Sequence, residues 1–146
     1  MWKVYRRRGY VGIRSDDVYA VVDPSEVPED VIDVDFVILT EKPKSTKVIE
    51  DILRSSKATL VGTSKNVKKY SVKYYVDEVS KVKGLAPGLW VGLLGGSVVI
   101  GVDSEEGYAL IVSQPSQTKE AEELGLQIYG EKGKILIKKD IEEEEI

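Results

Sequence analysis

The residue types best suited to catalysis are missing from this sequence. None of its 146 residues is histidine or cysteine. Histidine is the usual general base near neutral pH and the commonest metal ligand, and cysteine thiolate is the other main ligand of zinc. A serine–histidine triad, a thiolate nucleophile and a cysteine-containing zinc site are therefore excluded. We expect no bound metal and no cofactor, and any catalysis would have to use carboxylates, lysine, tyrosine, serine or threonine.

Adjacent acidic residues are the next candidates for chemistry. Four such pairs are candidates: Asp16 with Asp17, Glu29 with Asp30, Asp77 with Glu78, and Glu105 with Glu106. A carboxyl group needs burial or a neighbouring charge before its pKa moves far enough for acid–base catalysis. All four pairs lie in apparent turns or at the ends of strands, which is typical of solvated loops. We therefore expect them to be surface residues.

Lysines and tyrosines alternate in one part of the chain, where they could contact nucleic acid. The residues concerned are Lys65, Lys68, Lys69, Tyr70, Lys73 and Tyr74. Lysine neutralises phosphate, and tyrosine provides a ring on which a base can stack. The same pattern is also typical of an ordinary solvated surface. Nucleic-acid binding through this surface is therefore one hypothesis among several.

The charge is distributed unevenly along the chain. The formal net charge is −4, with 21 basic and 25 acidic residues, and much of the acidity lies in Asp140 and Glu142 to Glu145. A block of like charges is usually solvated and disordered, and it often serves as an interaction tail. We therefore expect one α/β domain over residues 1–139 and an acidic C-terminal tail over residues 140–146, which would dock onto a protein partner. The oligomeric state is left open.

The hydrophobic pattern gives no sign of a membrane segment. No apolar run approaches the roughly 20 residues that a bilayer-spanning helix needs, and the basic start of the chain is not followed by a signal-peptide core. We therefore expect a cytoplasmic protein that does not bind membranes. The absence of cysteine and the abundance of lysine and glutamate are typical of proteins from thermophiles.

The first half of the sequence predicts a meander followed by alternating strands and helices. Residues 2–6, 10–14 and 18–22 are predicted strands, and the apolar run 34–39 is typical of a strand buried on both faces. Ser45 or Thr46 can cap a helix that ends near Ser56. A strand at 58–62, a short helix at 64–70 and a strand at 72–76 follow. The β-α-β-α-β order predicts a parallel core.

The second half is rich in glycine and predicts hairpins. Gly95 and Gly96 fit a two-residue turn, and residues 103–107 fit a longer turn before a strand at 108–113. A helix is expected from about Ser116 to Leu124, with Gly125 ending it. Residues 127–129 and 134–138 are expected to close the domain as a final hairpin.

The first half resembles a metallo-β-lactamase fold, and the likeness covers roughly residues 1 to 80. The opening meander ends in Val21-Val22-Asp23-Pro24, and an acidic loop leads into the strand Asp33 to Thr40. In that family a D-x-V-x-x-T strand runs directly into the metal signature H-x-H-x-D-H. Here the signature position holds Glu41-Lys42-Pro43-Lys44-Ser45-Thr46. Glu41, Pro43 and Thr46 thus replace three histidines, and Ser45 replaces the aspartate.

The resemblance implies a truncated metallo-β-lactamase-like α/β fold, with a mixed sheet, a β-α-β-α-β core and flanking hairpins. With the signature lost, we expect a pseudoenzyme: a non-catalytic interaction or scaffold subunit, by analogy part of a nucleic-acid-processing complex. Its vestigial cleft would contain Asp23, Glu41, Lys44, Ser45 and Thr46. The alternative is a small metal-independent hydrolase or transferase that uses Glu41, Lys44 and Ser45 or Thr46. That alternative requires these residues to converge with Asp23 in one pocket.

Overall fold

Two β-sheets make up most of the molecule. The computed structural model describes residues 1–70, the backbone of residues 76–78, and residues 82–146. Lys73 and Tyr74, and most of the strand expected at 72–76, lie outside the described residues. None of the helices in the described part of the chain combines the length and the apolar character that a transmembrane helix needs.

In the described residues the first sheet has seven strands, in the order β12-β1-β2-β3-β4-β5-β6. An antiparallel meander opens the chain and is formed by β1 (Lys3–Arg7), β2 (Tyr10–Arg14) and β3 (Tyr19–Val22). Three parallel strands extend the sheet from β3, and they are β4 (Phe36–Ile38), β5 (Thr59–Gly62) and β6 (Val76–Glu78). The connecting helices are α1 (Thr46–Ser55) and α2 (Ser64–Val67). The predicted meander and β-α-β-α-β order are confirmed.

The second sheet, as far as the structure describes the chain, has five strands in the order β11-β10-β9-β8-β7. Four of them form the expected antiparallel hairpins, namely β7 (Lys83–Ala86), β8 (Leu89–Leu94), β9 (Ser97–Ser104) and β10 (Gly107–Val112). The fifth strand, β11 (Lys134–Ile137), pairs in parallel with β10, and α3 (Thr118–Tyr129) connects the two. The predicted closing hairpin is therefore wrong, because its first strand is the end of a helix.

Helix α3 continues past the glycine that was expected to end it. Gly125 is buried inside the helix, where a Cβ atom would lie only 2.4 Å from the Tyr108 hydroxyl oxygen. This glycine therefore permits close packing between helix and sheet. The helix ends at Gly130, which has a φ of 76° and donates its N–H to the Leu126 carbonyl at 2.8 Å. A left-handed glycine at this position is a common helix terminus.

The acidic end of the chain is part of the first sheet instead of a free tail. β12 (Glu143–Glu145) pairs antiparallel with β1, and Ile141 is only 3% exposed. Lys3 lies 3.2 Å from Glu143 and Lys134 lies 3.7 Å from Glu144, so basic neighbours offset part of the charge. The expectation of a separate tail at 140–146 is corrected accordingly. Burial of Ile141 and ladder hydrogen bonds oppose the repulsion among the glutamates.

The helices cover the outer faces of the two sheets. One hydrophobic cluster lies between the two sheets. That central cluster contains residues of both sheets, among them Val4, Ile13, Ile38, Val91 and Ile100. Ile49, Ile52 and Leu53 of α1 pack on the outer face of the first sheet, and Ala121 of α3 packs with Trp90 and Tyr108 on the second. Central strands are therefore buried on both faces, which explains their apolar sequences.

Candidate functional site

Asp23 lies directly after β3 and has an unusual backbone conformation. Its φ is 47°, the only positive φ of a non-glycine residue in the described part of the chain. The residue is 8% exposed, and its N–H donates to the Ile38 carbonyl of the adjacent parallel strand at 3.0 Å. A left-handed conformation at a non-glycine residue stores backbone strain, and such residues cluster at functional sites. The hydrogen bond to Ile38 thus fixes the Asp23 backbone at the edge of the parallel core.

The Asp23 carboxylate accepts hydrogen bonds from three groups. Thr40 donates its backbone N–H to Asp23 Oδ1 at 2.9 Å and its hydroxyl to Oδ2. The Lys138 ammonium donates to Oδ2 at 2.7 Å. Both carboxylate oxygens are therefore occupied within the protein. A buried carboxylate requires such compensation, since desolvation of an unpaired charge is costly.

Lys138 reaches this site from the opposite end of the chain. It directly follows β11, and its side chain is 13% exposed. Its ammonium also donates to Thr40 Oγ1 at 3.3 Å and lies 3.5 Å from Glu41 Oε1. The ammonium is thus surrounded by two carboxylates and one hydroxyl. This oxygen-rich environment stabilises a cation, and the cation present is the protein's own lysine.

Arg6 fixes the backbone that carries Lys138. The Arg6 guanidinium donates from Nε to the Ile141 carbonyl at 3.1 Å and from Nη2 to the Lys138 carbonyl. The Arg6 backbone N–H also donates to the Glu142 carbonyl at 2.9 Å. The short turn over Lys138–Asp140 is therefore attached to β1 by both side chain and backbone. This attachment helps to fix the position of the ammonium.

A small open pocket adjoins the ion pair, with a volume of about 240 Å³. The charged residues that line it are Asp23, Arg6, Lys44 and Lys138. The remaining lining comes from Gly9, Tyr10, Val11, Val22 and Ser25. Basic side chains therefore outnumber acidic ones in this pocket. A larger depression of about 930 Å³ lies elsewhere, around the start of β3 and the end of α1, and contains none of these residues.

The structure brings only some of the predicted cleft residues together. Glu41 contacts Lys138, and Lys44 shares the pocket with Asp23. Ser45 instead caps α1, because its Oγ accepts the Val48 N–H at 3.2 Å. Thr46 is the exposed first residue of that helix, and neither it nor Ser45 lines the pocket. The convergence that a hydrolase or transferase would need does not occur in this pocket.

Sequence reasoning missed Lys138 and Arg6 as site residues. Lys138 is separated from Asp23 by 115 positions, and no local pattern predicts that contact. The useful signal was Asp23 itself, an acidic residue at the end of an apolar strand. A buried carboxylate in such a place requires a basic or hydrogen-bonding partner, although the sequence does not say which one.

The residues considered for nucleic-acid binding divide into exposed and buried groups. Lys65, Lys68 and Lys69 are exposed around α2. Tyr70 is only 7% exposed, and burial raises the pKa of its hydroxyl. Its ring packs with the core around α1, so Tyr70 has no open face on which a base could stack. Among the residues that the structure describes, Lys65, Lys68 and Lys69 therefore offer charge without the aromatic surface that single-stranded binding uses.

Comparison with known proteins identifies the fold. No protein-family model matches the sequence, and no curated protein matches it either. Among solved structures, the metallo-beta-lactamase fold protein YhfI from Bacillus subtilis is similar with a TM-score of 0.59 and 11% identity, over 83% of this chain and 67% of that one. A HARLDQ motif mutant of a Cronobacter sakazakii metallo-beta-lactamase has a TM-score of 0.56 and 9% identity, over 88% and 72%.

A third similar structure is a probable metal-dependent hydrolase from Staphylococcus aureus. It matches with a TM-score of 0.52 and 12% identity, over 70% of this chain and 56% of that one. The present chain therefore spans little more than half the length of that hydrolase. Identities this low establish the fold alone. The predicted fold class, a truncated metallo-β-lactamase-like mixed α/β architecture, is confirmed.

Proposed function

We propose that this chain is a non-catalytic metallo-β-lactamase-like domain that works by binding and not by metal-dependent hydrolysis. The observation that supports this most strongly is the ion pair between Lys138 and Asp23, at 2.7 Å. The ammonium supplies the positive charge that this carboxylate requires. The site is therefore electrostatically complete without a metal ion.

The residues present do not fit the metal that this fold family uses. Zinc and related ions need imidazole, thiolate or available carboxylate ligands. Asp23 already accepts three hydrogen bonds, and the Lys138 ammonium beside it would repel a divalent cation. In the described part of the chain no group of three or more acidic side chains is arranged to hold a metal. We therefore derive no step of a metal-dependent reaction.

A metal-independent hydrolase is a second candidate function, and the positions of the same residues support it less well. The Ser45 hydroxyl is occupied as a helix cap, and Thr46 lies outside the pocket. Glu41 is paired with Lys138. The Thr40 hydroxyl does donate to the Asp23 carboxylate, but Thr40 is only 6% exposed and does not line the pocket. General-base activation requires nucleophile and base within hydrogen-bond reach. This geometry favours a binding role.

One fold neighbour is relevant to a lysine at this site. The name of the Cronobacter sakazakii mutant records an arginine, a glutamine and a lysine that were changed to histidine. Residues other than histidine thus occur at the changed positions of that protein. This supports the proposal that the present chain keeps the same fold without any histidine. The role as an interaction subunit, and any link to a nucleic-acid-processing complex, rests on analogy with family members.

Metal analysis together with an activity assay tests the proposal. Purified chain should be dialysed against zinc and manganese, desalted and analysed for bound metal. It should then be assayed against a chromogenic β-lactam and a chromogenic phosphodiester. We expect no stoichiometric metal, and no hydrolysis that exceeds that of a Lys138→Met variant. One tightly bound metal per chain, or hydrolysis that a chelator abolishes, would contradict the proposal.

A further inference from the structure

We infer that the pocket beside Lys138 binds a small oxyanion of the phosphate type. This rests on the proposed function, because it assumes that a lysine and not a metal occupies the site. The pocket is the one lined by Arg6, Asp23, Lys44 and Lys138. Its ligand would be a free phosphate or the phosphate group of a small molecule.

The charge balance of the pocket favours an anion. Of the three basic side chains in the lining, Lys138 is neutralised by Asp23. Lys44 is exposed and forms no ion pair with the residues that the structure describes, and the same holds for Arg6. Two positive charges therefore remain in the lining without an acidic partner. Arginine and lysine are the side chains that proteins commonly use to hold phosphate.

Arg6 is arranged as a fixed donor. A guanidinium has five N–H donors in a planar fork. Two of its nitrogens, Nε and Nη2, are attached to the carbonyls of Ile141 and Lys138. The third nitrogen, Nη1, has no hydrogen bond to the described residues. A guanidinium held by two backbone contacts loses little further freedom when it binds a ligand, which is the advantage of preorganisation.

The size of the pocket restricts the ligand. Its volume of about 240 Å³ lies below the roughly 300 to 1,000 Å³ typical of sites for drug-sized molecules. A phosphate group fits this space. The strained backbone at Asp23, with its φ of 47°, is a second feature of built sites. Together these observations favour a small anion over a nucleic-acid strand.

Glu41 is expected to oppose the anion. Its carboxylate lies 3.5 Å from the Lys138 ammonium and is about 40% exposed. A carboxylate so close to the cationic pocket weakens the field that an anion would experience. A Glu41→Gln variant should therefore bind phosphate more tightly than the unmodified chain.

Calorimetric titration with inorganic phosphate, at low ionic strength and in the presence of a chelator, tests the proposal. We expect saturable binding of one phosphate per chain. A Lys44→Gln variant should weaken that binding by about two- to five-fold, as expected for loss of one exposed charge contact. A matched Lys119→Gln variant removes an exposed lysine of α3, outside the pocket, and should bind like the unmodified chain.

Titration with phosphoserine distinguishes a free phosphate ion from the phosphate group of a small molecule. Tighter binding of phosphoserine than of inorganic phosphate would indicate a phosphomonoester, and the reverse order would indicate the free ion. Equal weakening by Lys44→Gln and Lys119→Gln would overturn the proposal, because it would show an unspecific charge effect. Saturable binding of a single-stranded oligonucleotide without binding of inorganic phosphate would also overturn it. Bound metal would contradict the proposed function whatever the outcome with phosphate.

Discussion

The Lys138 ammonium lies 2.7 Å from Asp23 Oδ2 and joins the end of β11 to the end of β3. Thr40, which follows β4, donates to the same carboxylate. One buried acidic residue thus connects three segments that are distant in sequence. The contact attaches the turn after β11 to the edge of the parallel core. Both the stability and the binding properties of the site should depend on this pair.

Replacement of Ser45 by alanine tests the helix cap at the start of α1. The variant loses the hydrogen bond from the Val48 N–H to Ser45 Oγ and should be destabilised by about 0.5 to 2 kcal/mol. Urea denaturation measures the free energy of unfolding. Ser55→Ala, an exposed position at the other end of α1, serves as the control and should change stability by less than about 0.5 kcal/mol. Equal stability of the two variants would argue against the cap.

Replacement of Gly125 by alanine tests the packing of α3. Alanine favours a helix interior over glycine by about 1 kcal/mol. Here its Cβ would lie 2.4 Å from the Tyr108 hydroxyl oxygen, and overpacking costs about 1 to 3 kcal/mol. We expect a net loss of thermal stability. Gly84→Ala in β7, where no atom lies within 4 Å of the added Cβ, should have little effect. A stabilised Gly125→Ala variant would show that the helix lies farther from the sheet.

Substitution of Ile141 tests whether the acidic end of the chain is part of the fold. Its side chain is 3% exposed, so Ile141→Ala should cost about 2 to 5 kcal/mol. Glu142→Gln, at the exposed adjacent position, should change stability by less than about 0.5 kcal/mol. Chemical denaturation of both variants measures the difference. A disordered tail would make both substitutions neutral.

The raised pKa of Tyr129 predicts that the folded protein loses stability at high pH. Burial raises the pKa of Tyr129 to about 12, from an ordinary value of 10.0. Between these values the folded chain retains a proton that the unfolded chain has lost, so stability is complete below pH 10 and falls as the pH rises through the folded pKa. Urea midpoints measured across this range should decline. The decline should be shallower in Tyr129→Phe, and parallel declines in the two proteins would contradict this assignment.

The sequence predicted the first half of the fold well because its signals are local. Apolar runs bounded by Pro24, Pro43 and glycines define the strands, and Ser45 is a recognisable helix cap. The second half was harder, since Gly125 has the appearance of a helix terminus. Its role is set by Tyr108 on a neighbouring strand, and such a tertiary contact leaves no local pattern.

The candidate site was predicted only in part for the same reason. Asp23, Glu41 and Lys44 were named because the resemblance to the metallo-β-lactamase fold implied a cleft there. Lys138 and Arg6 were not, because their roles depend on the parallel pairing of β11 and on the backbone carbonyls of the turn after it. Residues 140–146 were misjudged since charge composition does not reveal that Ile141 enters the core.

The most direct test of the account is a double-mutant cycle between Lys138 and Asp23. Lys138→Met leaves a buried carboxylate without its cation and should cost about 3 to 5 kcal/mol. Asp23→Asn preserves the side-chain shape, so the double variant should recover part of that loss. We predict a coupling energy of about 2 to 3 kcal/mol from urea denaturation. The exposed pair of Lys134 and Glu144, at 3.7 Å, should couple by less than about 1 kcal/mol. Additive effects at Lys138 and Asp23 would contradict the claim that this lysine is the cation of the site.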